Sequence, residues 1–230
     1  MAHKEKFQTR LEIIKLASEM FLTQGYTNTS TKKLAKALGI SVGNLAYHFP
    51  TKEHLLAEMT ERLCDYHLLV METEIDEGRT SLLAYLLELT SMMAICDENE
   101  VAKDLYTSIY KNPMTLEIIR KADSEKAKHI FTEYCPDWTD EDFTLTENAV
   151  SGIEYASIMK ENAEAFSLDK RIVKTLRMVM KAYNVPADIR EQKIQKVLRI
   201  DYRKIGRQFV KGFTEYVEMI NERAFNEAYL

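Results

Sequence analysis

Residues that break helices are scarce in this chain, and their scarcity restricts the folds that it can adopt. Only 7 glycines and 4 prolines occur among 230 residues, and the apolar residues between them recur every three or four positions, as on one face of an α-helix. No segment shows the strict alternation of a half-buried strand. The pattern is clear in the set Phe7, Leu11, Ile14, Ala17 and Phe21. The chain is therefore predicted to be all-α, with about nine or ten helices.

Two unusually short helices are predicted near the N-terminus. Thr29 and Ser30 can cap a helix that Gly39 ends. Ser41 can cap the next helix, which stops before Pro50. Two such helices joined by a tight turn form a helix-turn-helix, whose second helix presents its N-terminal residues to base edges in the major groove of DNA. The residues in that position here are Ser41, Val42, Gly43, Asn44 and Tyr47.

The charge is distributed unevenly along the chain. Residues 1–55 contain seven lysines and one arginine against four glutamates, a net charge of +4, so the remainder of the chain carries −9 of the total of −5. Such asymmetry indicates that the N-terminal segment binds a polyanion and that the other segment does not.

The short helices lie within a longer string of residues at fixed spacing. It comprises Thr-Arg-Leu-Glu-Ile-Ile-Lys-Leu-Ala from Thr9, Phe21, Gly25-Tyr26, Thr29-Ser30, Leu34-Ala35, Leu38-Gly39-Ile40-Ser41, Gly43-Asn44-Leu45, Tyr47-His48-Phe49 and Lys52-Glu53-His54-Leu55-Leu56. Over roughly residues 9–60 this string resembles the N-terminal domain of TetR-family transcriptional regulators. The resemblance implies binding of double-stranded operator DNA.

The resemblance also implies which side chains contact DNA phosphates. Carried over by position, they are Thr29, Tyr47, His48 and Lys52. Long polar side chains and helix N-termini are suited to phosphate contacts. Lys32 and Lys36, four residues apart on the polar face of the first short helix, would add attraction at longer range.

Two positions depart from the usual family pattern. Val42 stands where a lysine is common, and Ala46 stands where an aromatic residue commonly precedes Tyr47. Val42 can contact a thymine methyl group but donates no hydrogen bond. Fewer polar base contacts are therefore expected, with Asn44 as the main base-reading side chain.

The fourth predicted helix is the only covalent link between the N-terminal domain and the rest of the chain. The expected organisation is a three-helix DNA-binding domain over residues 1–52, a connecting helix over 53–75 and a larger helical domain over 76–230. The resemblance implies that the last domain binds a small-molecule effector and forms a homodimer. A ligand that tilts the connecting helix would change the spacing of the recognition helices and release a repressor from DNA.

The C-terminal region is rich in pliable and amphipathic side chains that can line an apolar or amphipathic ligand pocket. The same side chains could instead be ordinary core residues. The candidates are Tyr85, Met92, Met93, Tyr106, Tyr110, Tyr155 and Met159.

Dimer helices are expected near residues 144–165 and 201–225, with 170–183 as a third possibility. An apolar stripe does not by itself distinguish an interface from a core. The stripes on these helices contain Val150, Ile153, Ala156, Phe209, Phe213, Tyr216, Val217 and Ile220.

Other functional classes have little support in the sequence. The five histidines show no metal-ligand spacing, and no glycine-rich phosphate loop or nucleophile motif occurs, so no cofactor, metal or catalytic residue is expected. Glu161 and Glu164 are interpreted as a solvated helix face. Two alternatives remain, a DNA-binding protein that responds to a protein partner or to nothing and, more remotely, a small helical enzyme.

Composition also suggests where the protein works. Cys64, Cys96 and Cys135 are odd in number and form no C-x-x-C pair, which is typical of reduced thiols. No apolar run approaches the ~18 residues of a membrane span. A cytoplasmic protein without membrane contact is expected.

Overall fold

The computed structural model describes residues 2–74, 81–159 and 166–229, and in these ranges the chain is helical without any strand. The prediction of an all-α fold is confirmed, and no helix in the described ranges is long and apolar enough to cross a membrane. The helices are α1 (Ala2–Gln24), α2 (Thr31–Leu38), α3 (Val42–His48), α4 (Lys52–Glu74), α5 (Leu82–Glu98), α6 (Glu100–Lys111), α7 (Pro113–Phe131), α8 (Asp140–Ile158), α9 (Leu168–Ala182), α10 (Ala187–Arg199) and α11 (Tyr202–Tyr229), with a 3₁₀ turn at Thr132–Tyr134.

Helices α1 to α3 form the N-terminal unit, here called the head, and the predicted caps define their ends. The Ser30 hydroxyl accepts a hydrogen bond from the Lys33 amide at 3.2 Å, and Gly39 ends α2 in the left-handed conformation with φ of 68°. The Ser41 hydroxyl accepts from the Asn44 amide at 3.0 Å and begins α3. Side-chain caps thus fix two helices too short to be stable alone.

Helices α5 to α11 form the larger unit, here called the body. Two of its helices begin with side-chain caps: Asn112 caps α7 ahead of Pro113, and Thr139 with Asp142 forms a capping box at α8. The pair Glu161 and Glu164 lies outside the described residues.

Helix α4 extends from the head into the body. Its residues Leu55, Leu56, Met59 and Leu63 are all buried in a core that is continuous between the two units. The connecting helix is therefore packed along its length, and a change in its position must repack the core at both ends.

Noncovalent contacts also join the head to the body. Helix α1 packs along α11, where the Asn221 side chain donates to the Leu11 carbonyl at 3.0 Å. The carboxylate of Asp104 on α6 accepts from the Thr27 amide at 2.8 Å, just before α2. Helix α4 is the covalent link between the head and the body, and these noncovalent contacts join the two units as well.

The aromatic stripe of α11 lies inside the chain. The rings of Phe209 and Phe213 are 4.7 and 5.6 Å from the Tyr66 ring of α4, and both side chains are buried. Val217 and, on α8, Val150 are also core residues. The expectation that these side chains face a partner subunit is wrong, because α4 already covers the α11 stripe.

Candidate functional site

Helix α3 has one buried face and one exposed face. Leu45 is buried and Phe49, directly after the helix, is buried too, which holds α3 against the head. Val42 is apolar and Tyr47 is aromatic, yet the two residues are 43% and 63% exposed. Ser41, Gly43, Asn44 and Ala46 are exposed as well. The predicted recognition residues therefore share one solvent-facing surface.

Gly43 has no internal reason to be glycine. It lies inside α3, and a Cβ added there would have one neighbour within 4 Å among the described residues outside the helix backbone, the Ser41 hydroxyl at 3.8 Å. Glycine costs helix stability relative to alanine, so a position with free space would ordinarily favour a side chain. The absence of a Cβ leaves the backbone open to close approach from outside.

Tyr47 and His48 lie beside positive charge from α1. The Tyr47 hydroxyl accepts from the Lys6 ammonium, which also lies 4.3 Å from the centre of the Tyr47 ring. Burial, followed by Lys6 and Arg10, lowers the pKa of His48. His48 is therefore predominantly neutral at pH 7, in surroundings whose positive charge would attract a phosphate.

Two of the expected phosphate contacts differ in the structure. Thr29 is buried, and its hydroxyl donates to the Gly25 carbonyl at 2.8 Å, so it does not face a phosphate. The Lys52 ammonium donates to the carbonyls of Tyr26 and Thr29, both at 3.0 Å, and lies 3.9 Å from the centre of the Tyr26 ring. Burial lowers the pKa of Lys52. Lys52 primarily fastens the turn before α2.

Lys32 and Lys36 match the expectation of surface charge. Both side chains are exposed on α2 beside the recognition surface. Their charges are placed to attract a polyanion at long range.

A cavity of about 90 Å³ lies in the body between α4, α5, α6, α7 and α8. Helix α4 contributes Thr60, Leu63, Cys64, His67 and Leu68 to its wall. The helix that begins in the head therefore forms one side of an interior space.

Four of the seven candidate ligand-binding residues line this cavity, and three do not; one of the three, Met93, is a buried core residue of α5. Tyr85, Met92, Tyr106 and Tyr110 are lining residues. Tyr155 is half-buried outside the lining, with its ring 6.2 Å from that of Tyr110, and Met159 follows the end of α8 away from the lining.

The cavity wall also carries ionisable side chains that were not predicted. Glu88 contacts His67 at 2.9 Å and Lys126 at 2.6 Å. Burial opposes its ionisation, but Lys126 and His67 lower its pKa to about 2. The Glu154 carboxylate accepts from the hydroxyls of Tyr85 and Tyr110 at 3.1 and 3.0 Å. Burial, then Asp123, raises the pKa of Glu154 to about 8.

A signal for these acidic residues existed in the sequence. On α8, glutamates occupy positions of an apolar face at spacings of three and four, and charged residues are almost never buried without a partner. That face consists of Phe143, Glu147, Val150, Glu154 and Ile158, all buried.

Known proteins resemble this chain most clearly in the head. The family model for bacterial regulatory proteins of the tetR family matches residues 13–59. The HTH-type transcriptional regulator QacR of Staphylococcus aureus is 44% identical over 48 residues, which are 21% of this chain and 26% of QacR. An uncharacterized HTH-type transcriptional regulator of Bacillus subtilis, YuxN, is 37% identical over 93 residues, 39% of this chain and 29% of YuxN. The matches span less than a third of either relative.

Solved structures resemble the chain over more of its length but distantly. A gamma-butyrolactone receptor described as ArpA-like has a TM-score of 0.47 at 15% identity, covering 86% of this chain and 97% of the receptor. The TetR family protein CprB from S. coelicolor has a TM-score of 0.45 at 16% identity, covering 90% and 98%. These similarities are too distant to bear on function. Residues 13–59, which contain α2 and α3, therefore form an N-terminal domain of the kind found in bacterial regulatory proteins of the tetR family.

Proposed function

We propose that this chain is a homodimeric repressor that an apolar or amphipathic small molecule releases from operator DNA. The observation that carries the proposal is the position of α4, which begins at the head and supplies one wall of the interior cavity. A molecule that enlarges the cavity must displace α4 or a neighbour, because a packed core does not yield without rearrangement.

The DNA contacts that we propose come from the exposed surface of the head. Asn44 and Val42 read bases, Ser41 and Gly43 approach the backbone, and Tyr47 contacts a phosphate. His48, Lys32 and Lys52 contribute charge or a further phosphate contact, with Lys52 acting mainly through the turn that it holds. Counterion release then makes affinity fall steeply with salt.

Helix α6 offers a second path from the cavity to the head. It carries Tyr106 and Tyr110 in the cavity wall and Asp104 against Thr27. A ligand between the tyrosines would therefore bear on the turn that precedes α2 as well as on α4. A ligand that contacts both helices can bind the DNA-free conformation more tightly than the DNA-bound one, which is what release from DNA requires.

The test compares two tyrosines. Compounds that raise the melting temperature are first found in a screen, and their effect on binding to an in vitro selected DNA duplex is then measured by fluorescence anisotropy. A coupling of ~1 to 3 kcal/mol would weaken DNA binding roughly 5- to 150-fold. Tyr110→Phe, in the cavity wall, should reduce this effect, whereas Tyr155→Phe, outside the wall, should not. A broad screen without any compound that both stabilises the protein and releases DNA would refute ligand gating.

For the dimer, we propose that α8 supplies the contact surface. Its exposed face contains residues at spacings of four, three and four, of which the last three are small and allow close helix approach. A Cβ at Gly152 would meet no atom of the described residues within 4 Å. The face consists of Leu145, Ala149, Gly152 and Ala156. The described part of α11 has its aromatic stripe in the core and is less suited to this role.

The dimer is tested by light scattering. Wild type and Gly152→Ala should have twice the chain mass at micromolar concentration, and Gly152→Leu should move toward the monomer while keeping its helical content. Half-sites read by such a dimer lie about one helical turn of DNA, ~34 Å, or a multiple of it, apart. A Gly152→Leu protein that remains a full dimer would place the interface elsewhere.

A further inference from the structure

Three carboxyl groups lie close together beside the cavity. One carboxylate oxygen each from Asp123 on α7 and from Glu147 and Glu154 on α8 lies within 4.8 Å of the other two. The two glutamates are seven residues apart and thus on one side of α8. Asp123 and Glu154 line the cavity, so the cluster is open to it.

Glu147 is the most unusual member of the cluster. Its side chain is fully buried, and its Oε2 accepts from the Tyr183 hydroxyl at 2.5 Å. Its Oε1 has no hydrogen-bond partner among the described residues. A buried oxygen without a partner loses its hydrogen bonds to water and gains none in return, so it indicates a missing partner.

The neighbouring cations do not balance the acidic groups. Lys126 is committed to Glu88 at 2.6 Å and to Asp123 at 3.4 Å, and His67 contacts Glu88. Burial raises the pKa of Glu147 well above its ordinary value, with Glu154 and Asp123 adding to the effect. Glu147 and Glu154 would repel each other if both were ionised, and the described part of the chain places no ion pair on either of them.

We propose that Asp123, Glu147 and Glu154 bind one hard divalent cation, such as Mg²⁺, Mn²⁺ or Ca²⁺. Carboxylate oxygens are the ligands that these ions prefer, whereas zinc and copper sites commonly use nitrogen or sulfur. Oxygen ligands on opposite sides of a Ca²⁺ ion are about 4.6 to 5.2 Å apart, so an ion fits among oxygens separated by at most 4.8 Å. Water from the cavity would complete the coordination.

Such an ion would satisfy the unpartnered Oε1 of Glu147 and allow the carboxyls of α7 and α8 to be ionised together. The Tyr85 and Tyr110 hydroxyls on Glu154 and the Tyr183 hydroxyl on Glu147 would act as outer partners that orient the ligands. The site does not depend on the proposed response to an effector, because its occupancy is measurable without DNA.

The experiment uses Mn²⁺ as the probe with chelator-treated full-length protein at pH 7.5. Loss of the free Mn²⁺ signal in electron paramagnetic resonance should give one ion per chain, and Mg²⁺ or Ca²⁺ should compete. Saturating metal should raise the melting temperature by about 5 °C. Glu147→Gln should weaken Mn²⁺ binding at least about tenfold, because it removes a charged ligand. Glu141→Gln, an exposed glutamate on the same helix, should bind as wild type.

Folding and binding are separated by the metal-free variants. Glu147→Gln keeps the shape of the side chain and can still accept from the Tyr183 hydroxyl, so its metal-free melting temperature should be close to that of wild type; if it fails to fold, Asp123→Asn provides the same test. The proposal is overturned if wild type binds no Mn²⁺ at about 10 mM, a concentration above that of weak Ca²⁺ modules. It is also overturned if binding is unchanged in both variants, or if a protonated amine stabilises the protein in place of the metal.

Discussion

At the scale of single residues, a substitution at Gly43 should have opposite effects on the stability of the head and on its binding of DNA. Gly43→Ala should stabilise the free protein by up to about 1 kcal/mol, because the new methyl group enters open space and alanine favours the helix. The same methyl group should weaken operator binding about tenfold if the backbone approaches DNA closely. Thermal unfolding and anisotropy titration measure the two effects. An alanine variant that is more stable and binds normally would show that Gly43 does not approach DNA.

Lys52 and Lys32 should differ in what they contribute. Lys52→Ala should destabilise the protein by about 1–3 kcal/mol, since the carbonyls of Tyr26 and Thr29 lose a charged donor. Lys32→Ala, on the exposed face of α2, should leave stability unchanged. It should make the fall of log affinity with log salt less steep, by about one unit of slope for each phosphate that is no longer neutralised. Unfolding curves and binding at several salt concentrations distinguish them. The reverse pattern would mean that Lys52 is chiefly a phosphate ligand.

His48 should make DNA binding depend on pH. Its pKa in the free protein is below the ordinary 6.5, and an adjacent phosphate would raise it, so binding takes up a proton. Affinity should increase as pH falls from 8 toward 6, by up to about tenfold per pH unit for each subunit. His48→Gln should remove that dependence. Since a lowered pKa also means that the folded state loses stability as pH falls below the ordinary value, circular dichroism must accompany the titration.

At the scale of elements, α6 is expected to transmit ligand binding to the head through Asp104. Asp104→Ala removes the acceptor of the Thr27 amide and hydroxyl but leaves the cavity wall intact. The effector should still bind and should raise the melting temperature as much as in wild type. The factor by which it weakens operator binding should fall several-fold. Thr107→Ala is the control, because among the described residues the Thr107 hydroxyl bonds only to carbonyls of α6. An undiminished response would assign the coupling to α4 alone.

The same elements illustrate what a sequence can and cannot reveal. Ser30, Gly39 and Ser41 act through neighbours within four positions, so local rules predicted α2 and α3 correctly. Lys52 and Thr29 were assigned from resemblance, and their actual partners depend on how α1, α2 and α4 meet. The acidic residues of α8 were missed because their environment is created by four other helices. The Glu147 environment is a property of the tertiary structure.

At the scale of the whole molecule, the aromatic residues of α11 show why an interface is hard to predict. A stripe containing Phe209 and Phe213 looks the same in the sequence whether α4 or a second subunit covers it. Burial in the single chain decides between them, and it assigns these rings to the core. The face that remains open on α8 is marked by small residues, which a search for apolar stripes passes over.

The contact between α1 and α11 has a consequence for synthesis on the ribosome. Leu11 and Asn221, which are hydrogen-bonded, are 210 positions apart, so at 5–20 residues per second α1 exists for about 10 to 40 s before its partner is made. During that interval the head has its own caps but lacks the helix that covers one side of α1. A transcript cut short before α11 should therefore yield a protease-sensitive product rather than a minimal DNA-binding fragment.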